Sequence, residues 1–498
     1  MQKLSVLLTT EATYPYYAGG VSTWCHELIG SLKDVDYSLV SIVDSPLAMK
    51  KYALPPNVKE FISIPLWGTL EPCEHLRWVP FSSIFLSKLK TGPMVIEEEF
   101  IPVFSEIVDE VLGIEKKPGN FAENLLKMYR YFRKYDYNIT LKSEAIYKLY
   151  KEKIIRGIGN SHYFFYKDEF IPAIHEVGES LGWLFRFFNI TNTNVPKTDI
   201  SHSSAAGFCG IANVISKLLY NTPYLLTEHG VYLREQYLSA HRREMTLFLR
   251  NFLLSLTESV VRLNYEFADL VCPVCRFNAG WEERFGVPDD KIKVIYNGVD
   301  PAAFKTKGAD EDKNKIITVA RIDPLKDIEN FIQAAHIVQK ILPQISFEVY
   351  GAISNQDYYR KCLKLRDSLG LKEKFKFCGY VSETAKVYHC GDIVVLPSIS
   401  EAFPYSVVEA MMCGKPVIAT DVGGVSEAIG TCGIIVSPKN HEELARECVR
   451  LMGDKDLRKE LGVTACKRAK KLFTIEKFAK AYLKAYKNLS TGYWRDLL

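Results

Sequence analysis

Arg321 and Lys326 lie five residues apart in "RIDPLKD", directly after the apolar run "IITVA". An arginine offers a planar fork of donors and a lysine a mobile point charge, so the two at the end of a strand can grip a diphosphate. Either one alone reads as surface charge. Downstream, "SISEAFPYSVVEAMMCG" separates Glu401 from Glu409 by seven residues. With a helix starting near Pro404 to Ser406, Glu401 falls on the loop before it and Glu409 about one turn inside, a span of very roughly 12 Å. That span lets one carboxylate take the hydroxyls of a sugar and the other those of a ribose. The helix start between them adds N–H groups for phosphates. Taken singly, each glutamate is an ordinary solvated side chain.

Such residues need strands that end side by side, and the second half of the chain supplies them. "IITVARI", "ISFEVYG", "KFKFCGYV", "IVVLPS", "PVIATD" and "GIIVSP" alternate with helical patterns such as "IENFIQAAHIVQKIL". This rhythm predicts a doubly wound parallel sheet. The first half shows the same rhythm in "KLSVLLTT", "DVDYSLVSIVD", "TDISHSS", "TPYLLTEHG", "DLVCPV" and "KIKVIYNGVD". An aromatic, helical stretch from about Phe121 to Phe188, broken at "GIGNSHYFF", reads as an insertion. The fold class is therefore α/β, with parallel sheets covered on both faces. The boundaries expected are a first domain over 1–300 with a helical insertion at about 70–190, a charged linker over 301–314, a second domain over 315–473 and a C-terminal helix over 474–498. Two such domains in tandem leave a crevice at the C-terminal ends of their strands, where open α/β sheets bind ligands.

Gly19 and Gly20, in "TYPYYAGGVSTW", stand between the first strand and the first helix. A glycine pair there either lets a phosphate approach the backbone at a helix start or makes a tight turn. His229, in "LTEHG", reads as strand-end packing, and His202, in "DISHSS", as a site residue or a cap for the next helix with Ser203 and Ser204. The C-terminal stretch "CKRAKKLFTIEKFAKAYLKAYKNLS" reads as a docking helix with a solvated basic face, or as a membrane-surface helix.

Composition narrows the classes. With 63 basic against 59 acidic residues and a net charge of +4, the chain lacks the basic excess of a nucleic-acid binder, so no nucleic-acid partner is expected. No apolar run is long enough to span a bilayer and the first residues lack a signal-peptide pattern, so a cytoplasmic place is expected. The 12 cysteines are scattered, consistent with reduced thiols. "CPVC", Cys272 to Cys275, has metal spacing, but no second pair lies near it and strand packing is favoured, so no metal is expected.

The stretches "VARIDPLKD", "SISEAFPYSVVEAMMCGKPVIATDVGG" and "KIKVIYNGVD" resemble the retaining glycosyltransferases of family 4, and "TYPYYAGGVSTW" with "LLTEHGVYLRE" is similar to their PelF-type subgroup of Pel exopolysaccharide assembly. The resemblance covers nearly the whole chain. It implies a GT-B fold, two Rossmann-like domains facing across a cleft, and a retaining, metal-independent transfer of a hexose from a UDP-sugar, UDP-glucose favoured, to a glycan acceptor, with no cofactor. It assigns Glu401 to sugar hydroxyls, Glu409 to the ribose, Arg321 and Lys326 to the departing diphosphate, and Gly19 and Gly20 to phosphates. Phe403, Pro404 and Ser406 join the donor site, and His229 stands beside the sugar. The catalytic set is thus Glu401, His229, Arg321 and Lys326. The C-terminal helix is expected to return to the first domain. A membrane polysaccharide-synthesis complex, with a peripheral place at the inner membrane face, is the expected assembly. Two positions depart from the pattern: Phe403 stands where a leucine is common, and Gln236 interrupts a more basic run. The alternatives are another GT-B enzyme, such as a nucleotide-sugar epimerase, or a silent UDP-sugar-binding subunit.

Overall fold

The computed structural model describes residues 3–67, 80–113, 116–157, 172–240, 243–306 and 312–492. Most of "GIGNSHYFF" and part of the expected linker lie outside these residues. The chain divides into two compact units. The first comprises Met1–Pro273, Trp281–Lys293 and Leu483–Leu498, and the second Val274–Gly280 and Val294–Tyr482.

Unit 1 holds a six-stranded parallel sheet of β1 (Leu4–Glu11), β2 (Val35–Val43), β3 (Val58–Pro65), β4 (Ile200–Ser203), β5 (Tyr224–Glu228) and β6 (Leu270–Pro273), in the order β3-β2-β1-β4-β5-β6. The order reverses direction between β1 and β4, the switch point of a doubly wound sheet. β1 is buried without alternation from Val6 to Thr10 and β4 throughout, as expected of central strands covered on both faces. β3 has no counterpart among the strands expected from sequence. It is the edge strand, its segment "VKEFISIP" mixes charged and apolar residues, and it ends in a proline that an edge tolerates.

Between β3 and β4 the described chain is helical, its first helix starting at Phe81. Helices Ile101–Leu112, Pro118–Tyr131, Glu144–Gly157 and Ile174–Phe187 build an aromatic core. Phe100 and Phe132 lie 5.2 Å apart, and Tyr150 donates to Ser180 inside it. Each fully buried large apolar side chain contributes about 1.5–3 kcal/mol of transfer free energy, enough to hold such an insertion as a unit.

Unit 2 repeats the architecture with β7 (Lys315–Val319), β8 (Ser346–Tyr350), β9 (Phe375–Gly379), β10 (Ile393–Leu396), β11 (Val417–Thr420) and β12 (Ile434–Val436), ordered β12-β11-β10-β7-β8-β9. Alternate residues of its central strands enter opposite cores: Ile317, Val394 and Val417 on one face, Ile316, Val395 and Ile418 on the other. Helix Ile328–Ile341 buries Ile328, Phe331, Ile332, Ala335 and Val338, the stripe its 3.6 period lays against the sheet.

Two segments differ from expectation. "KIKVIYNGVD" adds no strand and makes only isolated bridges, Val271 to Ile292 and Val299 to Thr474. The C-terminal stretch is two helices, Lys455–Leu472 and Ile475–Thr491, because Thr474 leaves the helical path to bridge Val299. The last helix buries Phe478, Tyr482, Tyr486 and Leu489, and from Leu483 on it belongs to unit 1, where the Tyr486 hydroxyl lies 2.7 Å from His202 Nδ1. Among the described residues no helix is long and apolar enough to cross a membrane.

Candidate active site

In unit 2 the loops after β7 and β10 leave adjacent strands on either side of the switch point. Lys326, at the end of the short turn Pro324–Lys326, and Glu401, on the loop after β10, form an ion pair at 2.5 Å, with side chains 18% and 9% exposed. Residues 75 apart in sequence thus meet. Ile399 N donates to Leu325 O at 2.9 Å, tying the two loops together by their backbones. Ser398 Oγ donates to the same Glu401 oxygen at 2.6 Å. A largely desolvated pair like this has a strong local field and spare donors on the ammonium.

Arg321 has a different partner. Its guanidinium lies 3.7 Å from Asp323 and its side chain is 57% exposed, so it keeps most of its donors in solvent. Asp323 also accepts from Leu325 N and so fixes the turn that carries Lys326. Gly351, at the end of β8, is required beside Arg321: a Cβ there would sit 1.9 Å from Ala320 O and 3.1 Å from Arg321 N.

Helix Tyr405–Met412 starts one residue after Pro404, which fills the N-cap position without a capping side chain. Its first-turn N–H groups are therefore not taken by a cap. Ser406 sits in this first turn, half-buried, and Phe403 is buried against Tyr296 and Phe473. Phe403 thus contributes its backbone to the loop and its ring to the core. Glu409 lies one turn in and accepts from the Tyr388 hydroxyl at 2.6 Å. Burial pushes its carboxyl up to about 7, the Tyr388 hydrogen bond acting in the opposite direction. Since this lies above the ordinary 4.5, folded protein keeps a proton that unfolded chain loses, and the Glu409 contribution to stability falls as pH rises through that window.

Behind the loop, Gly423 adopts φ +57°, and a Cβ on it would meet Glu401 O at 1.7 Å. Gly424 N donates to Ala402 O at 2.6 Å. The glycine pair therefore clamps the backbone of Glu401 and Ala402. It closes the quoted stretch ending "ATDVGG", but its clamping role is not read from the sequence, and Tyr388, Ser398 and Asp323 carry no local signal of their partnerships.

In unit 1, helix Gly20–Ser31 begins at Gly20, and Gly19 is its N-cap with no capping side chain. Gly19 has extended backbone, and a Cβ there would meet nothing within 4 Å, so its glycine character serves open space beside the helix start. Trp24, one turn in, is buried with its ring 5.3 Å from that of His202 and 4.7 Å from that of His229. His202 is fully buried on β4, with Nδ1 facing Tyr486 and Nε2 2.8 Å from Thr227 Oγ1. Both ring nitrogens are engaged, and helix Gly210–Tyr220 has Cys209 at its N-cap, so His202 is a core histidine and not a cap. His229 follows β5. Its Nε2 is buried and has no hydrogen-bond partner among the described residues, and burial lowers the ring to about 3, keeping it neutral. An orphaned imidazole nitrogen is what a bound hydroxyl would satisfy. Cys272 and Cys275 are both buried thiols, Cys272 on β6 and Cys275 against Ala402 O.

Residues 4–290 match the family described as Domain of unknown function (DUF3492), and residues 299–468 match Glycosyl transferases group 1. The chain belongs to the DUF3492 family and carries a group 1 glycosyl transferase domain. That domain contains Arg321, Lys326, Glu401 and Glu409. An uncharacterized glycosyltransferase of Methanocaldococcus jannaschii is 32% identical over 222 residues, 41% of this chain and 55% of that protein. A D-inositol 3-phosphate glycosyltransferase of Paenarthrobacter aurescens is 31% identical over 224 residues, 42% of this chain and 54% of that protein. The chain spans about half the length of the curated relatives it matches. Among solved structures, Anabaena HepE in complex with UDP and glucose aligns with TM-score 0.59 at 16% identity, covering 97% of this chain and 99% of that one. Sucrose-phosphate synthase of Thermosynechococcus elongatus aligns with TM-score 0.61 at 18% identity, covering 98% and 100%. The DUF3492 chain therefore has the GT-B fold, and its second unit carries the group 1 glycosyl transferase domain.

Proposed function

We propose that the protein is a retaining, metal-independent hexosyltransferase that moves a sugar from a UDP-sugar, UDP-glucose favoured, to a growing exopolysaccharide or other glycan, as PelF-type enzymes do. The Lys326–Glu401 pair at the switch point of the group 1 domain carries this reading. The UDP and UDP-glucose complexes of Anabaena HepE support the choice of nucleotide.

In this mechanism Lys326 and Arg321 hold the diphosphate, with the first-turn N–H groups after Pro404. As the bond from the sugar's anomeric carbon to the diphosphate breaks, negative charge grows on the leaving oxygen and these groups stabilise it without reorganising. Glu401 accepts from sugar hydroxyls. The acceptor hydroxyl attacks the anomeric carbon on the face the diphosphate leaves, and its proton passes to the diphosphate. Cofactor and metal are not required. We place the enzyme in the cytoplasm, at the membrane face where a polysaccharide-synthesis complex would receive its product.

Glu409 takes the ribose hydroxyls in this reading, and its carboxyl titrates near 7. The ionised form accepts hydroxyl donors better, so affinity for uridine, which has no phosphate to titrate, should rise about threefold or more from about pH 6 to pH 8. Glu409→Gln should flatten that profile, as read by calorimetry at several pH values.

The test of the whole reading is UDP release across a panel of UDP-sugars, with and without EDTA. UDP-glucose should turn over fastest and EDTA should leave the rate unchanged. UDP binding without turnover of any donor would favour the silent subunit instead.

A further inference from the structure

Tyr388 ends the short helix Thr384–Tyr388, which precedes β10, and it is fully buried in unit 2. Its ring belongs to the core that contains Val387, Val407, Val408 and Met411, 6.1 Å from the ring of Phe304. Backbone bonds hold the turn that follows it: His389 N donates to Lys386 O at 3.2 Å, Cys390 N to Val387 O at 2.9 Å and Asp392 N to Lys315 O at 2.8 Å. The hydroxyl therefore has a defined place, and a buried hydroxyl needs a partner. That partner is Glu409.

The two glutamates of the candidate site are held in different ways. Glu401 has the Lys326 ammonium against it, and Ser398 donates to the same oxygen. Glu409 has no ion-pair partner among the described residues, and the Tyr388 hydroxyl, 2.6 Å from Oε2, is the one donor to it among them. That separation is the short one of a hydrogen bond to a charged oxygen. A glutamate side chain turns about several bonds, so a grip on one oxygen removes freedom that a ligand would otherwise have to remove on binding. The bond also opposes the effect of burial, so its loss would raise the carboxyl further. The other titratable groups nearby are Cys413 and Lys415, just past the end of the same helix, and Cys466 on helix Lys455–Leu472. Burial, and after it Glu409, pushes the Cys413 thiol up to about 12, above the range in which Glu409 titrates.

We propose that Tyr388 is a positioning residue for the nucleoside: its hydroxyl holds the Glu409 carboxylate by one oxygen and leaves the other for the 2′- and 3′-hydroxyls of the ribose. The inference rests on the assignment of Glu409 to the ribose in the reading above, and adds the residue that prepares that carboxylate before the ligand arrives. Tyr388 touches no ligand itself. It acts through Glu409 alone, so its removal should be felt only by ligands that carry ribose hydroxyls, and most strongly where the carboxyl is close to losing its proton.

The experiment titrates uridine and 2′,3′-dideoxyuridine into the full chain and into Tyr388→Phe, which keeps the ring in the core, by calorimetry from about pH 6 to about pH 9.5. At about pH 7.5 the variant should bind uridine about threefold or more weakly. The rise of uridine affinity with pH should move up by about one pH unit, so that near pH 9.5 much of the loss is recovered. Dideoxyuridine should bind both proteins alike, which also shows that the variant keeps its site. Uridine affinity unchanged in Tyr388→Phe overturns the inference, as does an equal loss for both nucleosides at every pH, the mark of a merely structural residue. If the parent protein binds uridine no better than dideoxyuridine, the assignment of Glu409 to the ribose fails and the inference with it. Absence of binding by uridine, dideoxyuridine and UDP alike overturns the transferase reading.

Discussion

Lys326→Ala is expected to lower kcat/KM for the best UDP-sugar by about 10²–10³-fold and to weaken UDP binding as well. The ammonium is four-fifths buried and already bears on Glu401, so its field acts in a low-dielectric place where it is not screened by salt. A group that meets the diphosphate in both ground and transition states loses affinity and rate together. The variant also strips Glu401 of its counter-ion, leaving a carboxylate 9% exposed with Ser398 as its remaining hydrogen-bond donor. Removing one partner of such a pair costs about 3 kcal/mol of stability, so the melting temperature should fall. The double variant Lys326→Ala with Glu401→Gln separates the effects. It should recover the melting temperature and remain inactive. Recovery of turnover in the double variant would show that Lys326 acts only by neutralising Glu401.

Glu401→Gln should behave differently, lowering turnover by about 10²-fold or more while UDP affinity stays close to that of the parent protein. The amide keeps the shape that Ser398 and Lys326 contact but loses the charge that grips the transferred sugar in the transition state, a loss of about 3 kcal/mol. UDP lacks that sugar and should not sense the change. Steady-state UDP release and UDP calorimetry on the same preparation check both halves. Loss of UDP binding would move Glu401 to the nucleotide. A sugar trapped covalently on Glu401 would replace same-face attack by a double displacement.

The two doubly wound sheets were legible because their strands are apolar runs between helical periods. β3 escaped because an edge strand need not be continuously apolar, and "VKEFISIP" carries the exposed Lys59 and Glu60. "KIKVIYNGVD" has the composition of a strand but makes only one bridge to the edge strand β6, at Val271, before Val299 turns its backbone to Phe473. At the site, residue type announced Lys326 and Glu401, whereas their pairing depends on β7 and β10 being neighbours across the switch point. Tyr388 reaches Glu409 from 21 residues away and Gly351 gives room to Arg321 from another strand; such roles arise only when the sheet is assembled. His202 left two readings open, and its two bonded ring nitrogens give it a third, as part of the core.

The central claim is that the Lys326–Glu401 cluster binds the diphosphate of a uridine nucleotide. Calorimetric titration of UDP into the full chain, in EDTA, tests it most directly. One saturable site is predicted, weakened at least about tenfold by Lys326→Ala and little changed by Glu401→Gln. No binding at millimolar UDP to the folded protein, or binding undiminished in Lys326→Ala, would contradict it.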